Sequence, residues 1–223
     1  MSTTWNDDDL KEMASQLSSP KGDNGIKTGE RMAISNGNMI ALTVQQLDIG
    51  ANEHVLEIGL GNGSHINSII ANSTGVHYFG IDISETMIQE ATRINQEFVD
   101  KNVVSLEISN GHDIDFQSSS FDKIFTVNTI YFWETPDVYA KEIYRVLKPG
   151  GNFSIGFSDK AFMKKLPFTK WKFQLYDKET VSAILIKAGF SITKIIQEKE
   201  NIKGNMGELI ERDIVIIAVK KEL

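Results

Sequence analysis

VLEIGLGNGSHI, residues Val55 to Ile66, sets Gly59, Gly61 and Gly63 behind a short apolar run that carries one acidic residue, Glu57. A strand followed by a glycine-rich turn and a helix is where α/β proteins bring backbone against a nucleotide. The dinucleotide fingerprint reads G-x-G-x-x-G. Here the third glycine comes one residue early, and Ser64 stands where that pattern needs glycine. Glu57, two residues before the first glycine, disfavours a pyrophosphate, which gains from a helix N-terminus and is repelled by a carboxylate. A ligand with an ammonium or sulfonium group gains from the same carboxylate. The turn therefore favours a cationic nucleoside over a dinucleotide.

Outward from this turn, strand-like and helix-like stretches alternate. HVLEIG is followed by the helical SHINSIIAN, then by VHYFGIDIS as a second strand. Asp82 lies near the end of that strand, about twenty residues past the glycines, where an acidic side chain can accept hydrogen bonds from both ribose hydroxyls. SETMIQEATRINQEFV reads as one helix with Met87, Ala91, Ile94 and Phe98 on a face. VVSLEIS and FDKIFTVNTI read as strands. DVYAKEIYRVL reads as a helix stopped by the turn Lys148-Pro149-Gly150-Gly151. NFSIGFS is a fifth strand, KETVSAILIKAGF a helix closed by Gly189, and SITKIIQEKE and ERDIVIIAVKK the last two strands. The alternation predicts a Rossmann-like α/β fold: seven strands, mostly parallel, helices on both faces, and an antiparallel element at the C-terminal end. Before His54 the rhythm differs. Asp7 to Leu17 is a short amphipathic helix, Ser18 to Gly25 is dense in turn formers and reads as a loop, and Asn38 to Leu47 is helical again. We expect residues 1–50 to be a helical extension and 51–223 the main domain.

The composition narrows the function. The 223 residues suit one domain with an appendage. Hydrophobic residues make up 41%, enough for a core. A net charge of −7 leans away from a nucleic-acid backbone as the main partner. With no cysteine, a thiol nucleophile or Cys-based zinc site is impossible. The four histidines, His54, His65, His77 and His112, include no pair spaced for a metal, so no metal is expected. His65 is expected on a helix surface. The N-terminus lacks a secretory pattern, and no apolar run reaches the roughly 18 residues of a membrane span. These features read as a soluble, cytoplasmic protein.

The segment from Glu57 to Gly63, Asp82, the block SNGHDIDFQSSSFDKIF and the LKPGG turn, in this order, resemble the class I S-adenosylmethionine-dependent methyltransferases, over roughly His54 to the C-terminus. The resemblance implies S-adenosylmethionine as cofactor. It implies that Gly59, Gly61 and Gly63 lie against its methionine and ribose portions, and that Glu57 organises the amino-acid end. It implies ribose binding by Asp82 and packing near the adenine by Ile83 and Met87. SNGHDIDF resembles the family's GDAxxLPF segment. Asn110 and Gly111 then stand at its Asp-Ala, with His112 and Ile114 beside the pocket, and Asp115 departs from its Pro. Asn128, in VNTIYFW, falls near the methyl-donor end.

Methyl transfer from an activated sulfonium needs alignment more than acid–base groups, which fits the absence of a visible triad. Should a base be used, Tyr131 and His112 are the candidates. Tyr131, Phe132 and Trp133 stand at a strand's carboxyl edge, with Tyr131 the favoured ligand contact. Lys160 to Asp177 mixes lysine with Phe and Trp and reads as a lid over a small substrate. No Asn-Pro-Pro-Tyr follows the fourth strand, which disfavours DNA-base or glutamine-amide methylation. The expected acceptor is a small organic molecule. The alternatives are a non-catalytic S-adenosylmethionine-binding module or sensor and, behind it, an NAD-dependent oxidoreductase.

Overall fold

A computed structural model of the chain describes residues 5–203 and 209–223. Strands β1 (His54–Ile58), β2 (His77–Asp82), β3 (Val104–Ile108), β4 (Phe121–Val127), β5 (Leu147–Ser158), β6 (Ser191–Lys203) and β7 (Leu209–Lys220) form one sheet in the order β3-β2-β1-β4-β5-β7-β6. The first five pair in parallel, and β7 runs antiparallel to both β5 and β6. The expected doubly covered sheet with an antiparallel end is thus present. Strand order reverses between β1 and β4, the position where open α/β sheets leave a crevice outside their carboxyl ends.

The central strands are apolar in succession because both faces are covered. Val55, Leu56, Ile124 and Phe125 are all fully buried. On one face, α6 (Pro136–Val146) and α8 (Lys178–Ala188) supply Ile143, Val146, Val181 and Leu185 to the larger core. On the other, α3 (Ile66–Ala71) and α4 (Glu85–Ile94) supply Ile66, Ile69 and Ala91.

Several boundaries differ from the sequence reading. Only Ser19–Lys21 separates α1 (Asp7–Ser18) from α2 (Gly22–Gln45), where a loop to Gly25 was expected. Helix α2 is 24 residues long and joins the two halves of the N-terminal segment. Gly25 permits this tight entry, since a Cβ there would meet the Pro20 backbone at 2.7 Å. The single helix expected from Ser84 to Val99 breaks into α4 and α5 (Gln96–Asp100) at Asn95. The buried Asn95 amide donates to the carbonyls of Ala91 (2.9 Å) and Gly63 (3.0 Å), diverting the chain from regular helix. The LKPGG turn already lies in β5, where a register shift against β4 accommodates it. Past β4, Ile130–Phe132 is a 3-10 turn rather than more strand. Of the connection expected between the last strands, residues 204–208 lie outside the described residues.

Helix α2 packs across β4, β5 and β7 and also meets α4. It comes close at Gly156 of β5, where a Cβ would collide with the Thr43 hydroxyl and lie 3.2 Å from Met39 Cγ. Thr43 and Met39 are fully buried and cannot retreat into solvent. Gly156→Val is therefore expected to cost about 1–3 kcal/mol through overpacking. Urea denaturation checks this, and an unchanged midpoint would mean that α2 does not sit on β5 as described.

Candidate active site

The carboxyl ends of β1, β2 and β4 form the floor of a cleft, and α2 forms part of its wall. The glycine turn enters it immediately after β1. Gly59 donates its N–H to the Ile81 carbonyl at 2.7 Å. A side chain at Gly59 would overlap the Thr129 methyl, so the turn and the end of β4 can touch only because this residue is glycine. Gly61 has φ +59°, and a Cβ there would point into open space. The Gly61 N–H donates to Asp82 Oδ2 (3.0 Å), while the Ser84 N–H donates to Asp82 Oδ1 (2.9 Å). Both oxygens keep lone pairs for a ligand. Burial pushes the Asp82 carboxyl up to about 6, against the pull of the Ser84 and Gly61 amides and with some help from the charge of Glu57.

Glu57 is almost wholly buried yet borders the cleft. Its Oε2 accepts from the Tyr78 hydroxyl and pairs with His65 Nε2 at 2.6 Å. Its Oε1 has no partner among the described residues. Burial works to lower the pKa of His65, but the charge and hydrogen bond of Glu57 outweigh it and the net shift is upward. Burial and the neighbouring Glu57 both raise the Tyr78 hydroxyl well above the ordinary tyrosine value, so it stays a donor.

Much of the remaining lining is apolar. It brings together Met32, Ala33 and Ile40 of α2 with Phe132, Trp133 and Tyr139. Trp133 Nε1 donates to Thr129 Oγ1 at 3.2 Å, and its ring lies 5.0 Å from that of Tyr139. The polar groups there are Thr129, the Tyr139 hydroxyl, Asn36 of α2 and Asn128, which follows β4 with φ +57°. Asn36 Oδ1 accepts from Asn128 Nδ2 (3.1 Å) and from Arg212 Nη1 (2.9 Å). Arg212 also donates to the Ser35 carbonyl (2.8 Å) and pairs with Glu200; Arg212 is buried and the Glu200 side chain is 9% exposed. The last two strands are thereby fastened to α2.

Among the residues read from sequence, Glu57, Gly59, Gly61, Asp82, Ile83, Met87, Gly111 and Asn128 all line the cleft. Gly63 does not. A Cβ there would meet Ile66, Ala91 and Asn95, so this glycine serves the packing of the turn against α4. Asn110 also lies off the wall, its Oδ1 taken by the N–H groups of His112 and Asp113. Ile114 is in the core instead of the pocket, and His112 is exposed, with Nδ1 3.6 Å from Glu134. Tyr131 is withdrawn too. Its hydroxyl accepts the Ser158 N–H (2.6 Å) and reaches the Ser158 carbonyl (3.0 Å), and burial raises its pKa far above the ordinary value. The 3-10 turn rotates Phe132 and Trp133 into the cleft in its place. His65, expected on a helix surface, is on the cleft wall. The Lys160–Asp177 segment does not reach the lining. Its Phe173 packs edge-on to Phe132 at 4.7 Å, so it backs the wall rather than covering the mouth.

A cleft at the switch point, with ribose-type acceptors at Asp82 and an acidic group at the glycine turn, is the layout of an adenosine-ligand enzyme. Residues 56–155 match the family described as Methyltransferase domain. The uncharacterized methyltransferase YdaC of Bacillus subtilis is 33% identical over 127 residues, 57% of this chain and 68% of YdaC. The O-methyltransferase resE of Aspergillus sclerotiorum is 29% identical over 56% of this chain and 47% of its own length. The matches thus span about half to two thirds of these relatives. In fold, the chain is similar to Haemonchus contortus phosphoethanolamine N-methyltransferase 2 in complex with S-adenosyl-L-methionine. That match has a TM-score of 0.71 at 17% identity and covers 99% of this chain and 61% of the other. The chain belongs to the class I S-adenosylmethionine-dependent methyltransferases. Its residues fit that cofactor: a side chain is missing at Gly61 where space is open, and Asp82 and Glu57 both keep acceptor capacity. Among the described residues no group of three or more His, Asp or Glu could hold a metal, and no helix is long and apolar enough to cross a membrane.

Proposed function

We propose that the chain holds S-adenosylmethionine along the β1–β2 side of the cleft and methylates a small organic acceptor seated against Met32, Ile40, Phe132 and Trp133. The observation that carries this is the convergence of the glycine turn, Asp82 and the end of β4 on one cleft with an apolar far wall. In this reading Asp82 accepts from the ribose hydroxyls. Glu57 Oε1 receives the ammonium, directly or through water, with Tyr78 and His65 fixing the carboxylate. The backbone of Gly59 and Gly61 lies against the ligand, Ile83, Met87 and Gly111 border the adenine, and Asn128 stands near the methyl. When bound, the cofactor supplies a methyl group already activated by positive sulfur. The protein's share is alignment and exclusion of water.

The N-terminal 50 residues act as a cap, α2 carrying one wall of the site. Acidic net charge and the absence of cysteine support a cytoplasmic protein acting on metabolites rather than nucleic acid. Similarity to a protein named O-methyltransferase supports the small-molecule reading.

Calorimetric titration with S-adenosylmethionine, S-adenosylhomocysteine and NADH tests this. Micromolar binding of the sulfur ligands and none of NADH is the expected result. Failure of a folded protein to bind either sulfur ligand would end the proposal. Turnover separates an enzyme from a binding module.

A pH dependence follows from Asp82, whose carboxyl titrates near 6. The ionised form accepts both hydroxyls and the protonated form does not, so affinity should be constant well above that value. It should fall about tenfold per pH unit well below it. At pH near 6, binding should release about half a proton, visible as a heat that changes with the buffer's ionisation enthalpy. Affinity unchanged down to pH near 5 would remove Asp82 from the contact.

A further inference from the structure

We propose that the acceptor enters this cleft as an ionised oxygen, a carboxylate or an acidic phenol or enol on an apolar body, and is methylated without a general base. The inference rests on the methyl-transfer reading above and adds the substrate class.

Of the polar groups on the acceptor side, Thr129 Oγ1 already accepts from Trp133 Nε1, which leaves the Tyr139 hydroxyl and the N–H donors of Asn36 and Asn128. A guanidinium donates only, so the Asn36 atom that Arg212 meets at 2.9 Å is the carbonyl oxygen. The Asn36 amide nitrogen is turned away from Arg212, on a residue that borders the cleft, and has no partner among the described residues. A backbone N–H likewise fixes Asn128: Ser158 donates to its Oδ1 at 3.2 Å, which makes the atom facing Asn36 the amide nitrogen. One of its two N–H groups goes to Asn36 Oδ1, and the other has no partner among the described residues.

No side chain on this wall can serve as a base. The ionisable residues of the lining are Glu57, His65, Asp82 and Tyr139. Glu57 and His65 are paired with each other at the glycine turn, and Asp82 is fixed by the Gly61 and Ser84 amides. The Tyr139 hydroxyl is kept protonated by burial, reinforced by Asp113 and Glu142. A neutral alcohol would need a base, and an amine would need acceptors for its N–H groups. An oxyanion needs donors only, which is what the two asparagines present.

Charge and atoms balance without a proton. The oxygen lone pair forms the new C–O bond as the carbon–sulfur bond breaks and leaves its electron pair on sulfur. The oxyanion and sulfonium charges cancel, giving a neutral ester or ether and a neutral thioether.

The test uses octanoate, octanol and octylamine as probes of protein saturated with S-adenosylhomocysteine, read by calorimetry. Octanoate should bind at least about tenfold more tightly than the alcohol or the amine. That preference should vanish in Asn36→Asp, with affinity for S-adenosylhomocysteine kept within about threefold. If Asn36→Asp does not fold, the ranking of the three probes on the natural protein decides by itself. With saturating S-adenosylmethionine, the octanoate product should be a base-labile methyl ester formed at a rate flat from about pH 6.5 to about pH 9. Replacing octanoate with 4-nitrophenolate separates the phenol arm from the carboxylate arm. Equal binding of the three probes, preference for the amine or alcohol, or a preference that survives Asn36→Asp would overturn the inference. Those outcomes leave methyl transfer standing. If S-adenosylhomocysteine itself does not bind, the methyl-transfer reading fails and this inference with it.

Discussion

Asp82→Ala is expected to abolish measurable S-adenosylmethionine binding, a loss of about a hundredfold or more. Two hydrogen bonds from ribose hydroxyls to a buried carboxylate are each worth about 1.5–3 kcal/mol. The substitution also leaves the Gly61 and Ser84 amides without their acceptor, which loosens the turn that faces the ligand. Asp82→Asn separates these contributions. It keeps one acceptor oxygen and the side-chain volume, so an intermediate loss of about tenfold is expected. Calorimetry on variants shown to be folded by circular dichroism gives the answer. An alanine variant that binds within about threefold of the natural protein would show that ribose recognition lies elsewhere.

The second large effect concerns stability. Arg212→Met removes the only cation paired with the largely covered Glu200 among the described residues. Breaking a buried pair from one side costs about 3–5 kcal/mol, because the remaining charge is left without compensation. Pairing Arg212→Met with Glu200→Gln should recover most of that loss, since the uncompensated charge is then gone. Urea denaturation of the single and double variants measures both numbers. A single variant within about 1 kcal/mol of the natural protein would mean that the pair is solvated in solution. Because Arg212 also holds Ser35 and Asn36, the preference for octanoate over octanol should shrink in the single variant even at urea concentrations where the protein remains folded.

What could be read from the sequence was local in the chain. The glycine turn and Asp82 are each identified by spacing within one βαβ unit, and both line the cleft. The parallel sheet followed from the alternation of apolar strands and amphipathic helices, and its antiparallel end from two strands with no helix between. What escaped depends on orientation or on distant partners. His65 sits eight residues from Glu57, but nothing in the spacing says that its ring turns inward at the start of α3. The exchange of Tyr131 for Phe132 and Trp133 follows from a 3-10 turn that rotates three successive aromatics differently from a strand. Asn110 looked like a ligand contact by alignment of motif, yet its oxygen closes its own turn, a common use of Asn. Helix α2 was obscured by Pro20, Gly22, Asn24 and Gly25, residues that favour turns until tertiary packing overrides them. The link from Asn36 to Arg212 joins positions 176 apart, beyond any pattern visible in one chain.

That clasp bears on how the protein is made. During synthesis α2 leaves the ribosome well before Arg212 is added, since Asn36 and Arg212 are 176 positions apart. Glu200 also precedes Arg212, so its charge waits for a counterion that has not yet been translated. The nucleoside side of the cleft is built from β1, β2 and α4, whereas Asn36 acquires its fixed orientation only when β7 docks. A nascent chain stalled before residue 212 would carry the cofactor-facing turn and still lack an ordered acceptor wall, so the site is completed only once residue 212 has been translated.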